Sequence, residues 1–392
     1  MASKGDKLSD MMCGFNLDMY HHVTSDSNCG NMFMSPSSMF MVLTMIHVGA
    51  RNDTAKQMKE VLKLTQTDQK SVLSEMEKLI GKLKEGSKSV TLSTANRLYP
   101  HTDKTILEEY LSLVTKHFHA DLKSMDYTSD AEGARLEINK WVEDVTNSKI
   151  KDLLPSGSLN SLTAMVVVNA IYFKGNWATQ FKPEATSKMM FSPLKSAAKS
   201  VDMMRAKVKK VKYGENQALS CKVLEMPYVG EELSMIVILP NNNDGLPALE
   251  KKLTLNLLQR IVKDIHPATV DILLPKFKLE SSLELKAALS ALGMPDLFDE
   301  VKADLSAMGK ELFVSKIFHK AFVDVNEEGT EAAAATAAVM QKRSLPIVLS
   351  FKADHPFMFM IWDHRFKIPL FIGRLVDPPS GDASMEQSKD EL

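Results

Sequence analysis

The sequence predicts an α+β fold, with helices filling the first third of the chain and strands most of the remainder. Three observations carry this. Residues 8–23 place Leu8, Met11, Met12, Phe15, Met19 and Val23 at the spacing of an amphipathic helix. Residues 165–173 form an unbroken apolar run, MVVVNAIYF, as expected of a strand covered on both faces. Residues 313–325 alternate, so that Phe313, Ser315, Ile317, His319, Ala321, Val323 and Val325 share one face of a long strand. Helical runs followed by strand runs indicate large sheets packed under helices.

After the first helix, Ser35 is placed to cap a second one and Pro36 suits its first position. Residues 39–48 are apolar on nearly every side, so that helix belongs in the core. Gly49 and Ala50 end it. Further helices fit 53–63, 68–85, 104–117 and 130–147. Asn169 stands in the middle of the 165–173 strand, which Lys174-Gly175 closes. Strands are expected at 233–239, stopped by Pro240, and at 270–275 and 277–279, with helices at 246–264 and 282–292. No internal repeat or interdomain linker interrupts the pattern.

The 392 residues are 44% apolar and 25% charged, an ordinary balance for a globular chain with a large core, and the net charge of −1 gives no field toward nucleic acid or an anionic membrane. No run of about 18 apolar residues is available to insert in a bilayer. Cys13, Cys29 and Cys221 are too few for a disulfide framework; at least one thiol lacks an intramolecular partner, and a Cys13–Cys29 bridge is one option. The polar start, Met1 to Lys7, has no signal-peptide core. Lys389-Asp390-Glu391-Leu392 is nevertheless the endoplasmic-reticulum retrieval tetrapeptide. A removed signal peptide reconciles the two, giving an expectation of residence in the endoplasmic-reticulum lumen and recognition by the KDEL receptor. Asn52-Asp53-Thr54 is a glycosylation sequon. His21-His22 and Asp363-His364 lack metal-ligand spacing, so no metal or other cofactor is expected. The basic stretch Arg205, Lys207, Lys209, Lys210 and Lys212 reads as a solvated strand face ahead of a sulfated-polysaccharide site.

One segment fits neither element type. Asn326-Glu327-Glu328-Gly329-Thr330-Glu331 is followed by an Ala-rich stretch to Ala338, then by Val339-Met340-Gln341-Lys342-Arg343-Ser344-Leu345-Pro346. By composition alone it reads equally as a surface helix and loop that any trypsin-like enzyme nicks.

With these residues in view, the sequence resembles the serpin family. Residues 325–334 (VNEEGTEAAA) resemble the reactive-loop hinge of its inhibitory members. Residues 354–361 (DHPFMFMI) and 371–374 (FIGR) resemble its C-terminal signature, and 168–177 (VNAIYFKGNW) its central-strand motif. Residues 35–38, 139–142 and 274–277 match as well. The resemblance runs from about residue 8 to Pro378. It implies one domain over 1–378, with three β-sheets, about nine α-helices and an exposed reactive loop at about 327–346. Residues 379–392 are then a flexible tail.

The implied function is suicide-substrate inhibition of serine proteases by a monomer, not enzymatic catalysis. Asp324, His319 and Ser344 do not make a triad, because no nucleophile turn surrounds Ser344. In the family, the loop is cut and its upstream part inserts as a new strand in the main sheet. Glu327, Glu328 and Gly329 begin the hinge. Thr330, Ala332, Ala334, Thr336 and Ala338 are the residues that turn inward on insertion, and all are small. The stretch from Thr330 to Arg343 extends to about 46 Å, long enough to cross a sheet. The family's cleaved bond lies fourteen residues beyond the hinge glycine, which selects Arg343–Ser344. Arginine there calls for an acidic primary pocket. Met340, Gln341 and Lys342 fill the preceding subsites. The dibasic pair points to furin-like convertases or other trypsin-like enzymes, although Met340 stands where furin prefers arginine. Ser35, Ser38, Asn169 and His319 match the family's "shutter" beneath the main sheet, and Trp177 its "breach". The rival expectation is a non-inhibitory chaperone resembling the collagen chaperone of the endoplasmic reticulum. The small hinge residues stand against it.

Overall fold

The computed structural model describes residues 4–25, 30–85, 90–120, 122–328 and 348–378. Among them are nine α-helices: α1 (Lys4–Thr24), α2 (Pro36–Gly49), α3 (Asn52–Val61), α4 (Gln69–Glu85), α5 (Glu108–Phe118), α6 (Tyr127–Val145), α7 (Leu246–Lys252), α8 (Leu255–Lys263) and α9 (Lys286–Leu292). The strands are β1 (Met32–Met34), β2 (Val90–Pro100), β3 (Met165–Gly175), β4 (Ser187–Phe191), β5 (Lys199–Asn216), β6 (Cys221–Pro227), β7 (Leu233–Pro240), β8 (His266–Pro275), β9 (Phe277–Glu284), β10 (Lys316–Val325), β11 (Val348–Lys352), β12 (Phe357–Asp363) and β13 (Ile368–Leu375).

The strands form two hydrogen-bonded sheets. One has the order β2-β3-β10-β9; the other has nine strands, ordered β1-β13-β12-β7-β6-β5-β8-β11 with β4 added beside β5. The expectation of three sheets resolves into these two because β5 is continuous. Its residues 199–203 pair with β4, 203–213 with β8 and 212–216 with β6. A register shift between Val208 and Val211 bends it from one layer to the next.

The four-stranded sheet is covered on both faces, as the Val-rich run requires. Met165, Val167, Ile171 and Phe173 of β3 point into the main core. Val166, Val168, Ala170 and Tyr172 point into a second core with Ile138 and Val142 of α6 and Leu153 and Leu154 after it. The helix α2 lies under the first face with all residues buried except His47. Ser35 caps it, its Oγ accepting from the Ser38 N–H, and Pro36 opens it.

Several boundaries differ from the sequence expectation. The helix expected over 246–264 is two, because Leu253 leaves helical geometry and Thr254 caps α8. The segment at 282–284 belongs to β9, where Leu283 lies opposite His319, and α9 starts only at Lys286. The strand expected from Phe313 begins at Lys316. Cys13 is a buried free thiol, so no Cys13–Cys29 bridge forms.

Candidate functional site

In the four-stranded sheet, β10 is parallel to β3, while β2 against β3 and β9 against β10 are antiparallel. The β3–β10 seam runs from Lys316 opposite Val166 to Val323 opposite Phe173. The segment carrying the proposed bait follows directly from the end of β10.

A transverse row of polar side chains crosses this seam. Asn96 on β2, Asn169 on β3 and His319 on β10 are register partners, and all face the start of α2. The Ser35 N–H donates to His319 Nε2 at 3.1 Å, so Nδ1 carries the proton and donates to Asn169 Oδ1 at 2.5 Å. Asn169 Nδ2 in turn donates to Ser38 Oγ, at 2.6 Å, and to Asn96 Oδ1. Ser35 Oγ donates to the Leu370 carbonyl at 2.6 Å, which ties the row to β13. Ser35, Ser38, Asn169 and His319 are thus brought together as expected. On the opposite face Tyr172 stacks on Phe322, 5.6 Å between centroids, again across the seam. Strands β3 and β10 separate only if both contacts break.

His319 is fully enclosed, and loss of solvent pushes its pKa from 6.5 down to about 3. Between those values the unfolded chain binds a proton that the native chain refuses. Stability from this ring is therefore complete above pH 6.5 and falls as pH drops toward 3, by about 1.4 kcal/mol per unit. In denaturant unfolding, the stability gap between wild type and His319→Asn should narrow by roughly 2–3 kcal/mol from pH 7 to pH 4.5. A gap that stays constant over that span would show that the ring is not shielded.

The second cluster holds the chain where it leaves β10. Trp177 Nε1 donates to the Asn326 carbonyl at 2.9 Å, the Phe181 N–H to the Glu327 carbonyl at 3.1 Å, and Gln180 Nε2 to the Glu328 carbonyl at 3.0 Å. The Glu327 carboxylate accepts from Thr186 Oγ1 at 2.8 Å and pairs with Lys276 Nζ at 2.8 Å. Burial alone would raise the pKa of this carboxyl, but Lys276 and Thr186 hold it below its ordinary 4.5. Trp177 is fixed by stacking on Tyr228, 4.6 Å between centroids. Tyr228 fits there because position 175 is glycine: a Cβ would lie 2.7 Å from its ring.

Glu327→Lys would set two ammonium groups against each other where the glutamate side chain is only 11% exposed. We expect a loss of about 2 kcal/mol or more and a thermal midpoint lower by several degrees. Adding Lys276→Glu should recover part of that loss in a double-mutant cycle. An unrelieved loss in the double variant would mean that the pair is not the clamp.

Asn52 lies apart from both clusters, exposed, with its Nδ2 donating to Asp304 at 2.7 Å. The bait residues Arg343 and Ser344, the subsites Met340, Gln341 and Lys342, the hinge residues Gly329, Thr330, Ala332, Ala334, Thr336 and Ala338, and the tetrapeptide Lys389–Leu392 lie outside the described residues.

A family model described as Serpin (serine protease inhibitor) matches residues 10–378. The chain belongs to the serpin family. The leukocyte elastase inhibitor of Homo sapiens is 41% identical over 381 residues, 95% of this chain and 100% of that protein. Its namesake in Xenopus tropicalis is 41% identical over 380 residues with the same coverage. Among solved structures, uncleaved ovalbumin matches with a TM-score of 0.86 at 29% identity, covering 95% of this chain and 100% of its own. Serpin48 of the insect Tenebrio molitor matches at 0.83 and 32%, covering 95% and 99%.

Sequence reasoning on this serpin missed Asn96, Thr186, Gln180, Phe181 and Lys276. Asn96 had a usable signal: Val90, Leu92, Thr94, Asn96 and Leu98 alternate, which places the amide on the core face of β2. Lys276 lies inside the matched motif at 274–277, but nothing in the sequence pairs it with Glu327.

Proposed function

We propose that this serpin is a suicide-substrate inhibitor cleaved at Arg343–Ser344. The protease serine adds to the Arg343 carbonyl, the C–N bond to Ser344 breaks, and the Ser344 amine leaves with a proton. The ester that remains tethers the enzyme. Insertion of the upstream segment then outruns hydrolysis of that ester.

The observation that carries this reading is the parallel β3–β10 seam. The chain leaves β10 at Val325. A segment folding back between β10 and β3 runs opposite to β10, and therefore opposite to β3 as well. One parallel ladder is exchanged for two antiparallel ladders, which pair better per residue. The start of that segment is already held at the top of the seam by Trp177, Gln180 and Phe181. The small residues from Thr330 to Ala338 suit the inward positions it would occupy.

Bait and framework are separate questions. The relatives above are named for elastase, whereas Lys342-Arg343 favours a protease with acidic subsites. Furin-like convertases are the proposed target class, with trypsin-like enzymes next. The tetrapeptide Lys389–Leu392 agrees with this, since it would return the protein to the secretory compartments where such convertases act.

The test is a denaturing gel after mixing with a furin-like convertase and, separately, with trypsin. A band of summed mass that survives denaturation is expected, forming faster with the preferred class. Cleaved serpin beside free active protease would leave the chain a substrate, and inhibition would be abandoned.

A further inference from the structure

The exposed lysines of β5 take no part in the seam or the loop-base contacts described above. We propose that they form a docking surface for the acidic rim of the target protease's substrate cleft. This rests on the reading that a basic-specific protease attacks Arg343, and it adds a second contact outside the bait.

Position comes first. An open trough of about 540 Å³ lies between the segment 179–185 and β5, with Val348 in its wall. A cleft of about 230 Å³ on the same strand is lined by Lys209, Lys210, Trp177 and Phe181. The segment bearing Gln180, which holds the Glu328 carbonyl, therefore walls the trough. Val348, where the described chain resumes after the bait segment, lines it too. A protease engaged on the intervening residues is held between two attachment points that flank this trough.

Charge comes second. Arg205 is neutralised by a bidentate contact with Asp271, at 3.0 and 2.8 Å, and Lys212 pairs with Glu225 at 2.9 Å. Between them Lys207, Lys209 and Lys210 are exposed, as is Lys182 on the opposite wall, and none of the four has an ion-pair partner among the described residues. The local backbone favours this. Lys210 has φ +59°, the left-handed region that costs a side-chain-bearing residue, at the register shift between Val208 and Val211. A regular strand turns alternate residues to opposite faces; the bulge turns the consecutive Lys209 and Lys210 both to solvent.

The partner follows from the bait. A protease that accepts Lys342-Arg343 needs carboxylates in adjoining subsites, so the surface around its cleft is acidic. Complementary charge of this kind mainly raises the rate of encounter. An extended sulfated polysaccharide fits less well. The free cations of β5 span only about 10 Å. The Arg205–Asp271 and Lys212–Glu225 pairs bound them.

The test compares wild type with K207S/K209S/K210N, asparagine being chosen for its tolerance of positive φ. The variant should keep the thermal midpoint, the cleavage site and the stoichiometry of covalent complex. Its second-order rate constant with a furin-like convertase should fall about tenfold at low salt, with the difference closing at high salt. Equal rates at low salt overturn the proposal. Binding to the same protease with its active-site serine replaced by alanine separates this test from the inhibitory reading. If wild type forms no covalent complex but binds the inactive enzyme about tenfold more tightly than the variant, inhibition fails and the docking surface stands. If wild type shows no salt-sensitive binding to it, the surface is overturned. Loss of heparin-column retention by the variant, with unchanged protease association, would assign the face to polysaccharide and overturn the proposal equally.

Discussion

Thr330→Arg is expected to turn the inhibitor into a substrate. On the proposed mechanism Thr330 is the first position after Gly329 to turn inward, so insertion would carry its side chain beneath the sheet. The space it enters is tightly filled: on the main-core face of β3 and β10 near the end of the seam, Ile171, Phe173, Ala321 and Val323 are all buried. A guanidinium arriving there without a partner costs several kcal/mol. At about 1.4 kcal/mol per tenfold, a penalty of about 4 kcal/mol on the insertion barrier slows it roughly a thousandfold. Deacylation, which takes place in the protease, is untouched. The acyl-enzyme then hydrolyses before the strand arrives. Cleavage at Arg343 should proceed at the wild-type rate, because the bait lies thirteen residues downstream. Titration against active-site-quantified trypsin should show at least a tenfold rise in serpin consumed per enzyme blocked, and the covalent band should fade. Thr330→Ser should behave as wild type. Undiminished inhibition by Thr330→Arg would sink the insertion mechanism.

Asn169 illustrates what is legible in such a sequence. An amide in the middle of MVVVNAIYF has no solvent to turn to and must find partners inside. His319 is visible for the same reason, alone among apolar neighbours on its face. That the two are register partners across a parallel seam, joined at 2.5 Å, is a fact of topology that periodicity does not contain. The strand β2 is hard to read because Thr91, Ser93 and Arg97 interrupt the face that carries Ala95 and Tyr99, and the other face is broken by Asn96, the residue that completes the row. The three-sheet expectation stopped short of β5, whose bulge joins two layers at a pair of lysines that look like simple surface charge. The contact of Glu327 with Lys276 lies just beyond the end of the β9–β10 ladder, where Val325 faces Phe277, and charge patterning finds such a pair only once the strand pairing is known. The helices were the easiest part, since each one's 3.6-residue pattern is self-contained. Their ends were less so: α6 starts at Tyr127 because Asp126 caps it, with Oδ1 accepting from the Thr128 and Ser129 N–H groups.

Arg343→Ala separates the bait from the spring. A primary pocket built around a carboxylate is left with that charge buried and unpaired when alanine replaces arginine, a discrimination of about 10⁴-fold or more. Inhibition of basic-specific proteases at Arg343 should therefore be abolished on any practical timescale. If potency is unchanged, the scissile bond has been misplaced. The same substitution offers a residue that the small primary pocket of an elastase accepts. The machinery of insertion is built from other residues: the seam depends on Asn169 and His319, and the loop base on Trp177, Lys276 and Glu327. The framework is also 41% identical to serpins named for elastase. The variant is accordingly expected to form a denaturation-resistant complex with a neutrophil-type elastase while losing the one with trypsin. Cleavage by elastase without a complex would show that the timing of insertion is tuned to the bait. A gain of elastase trapping together with loss of trypsin trapping would show that the fold supplies the trap and residue 343 chooses what enters it, which is the division of labour that the closed seam and its clamped loop base imply.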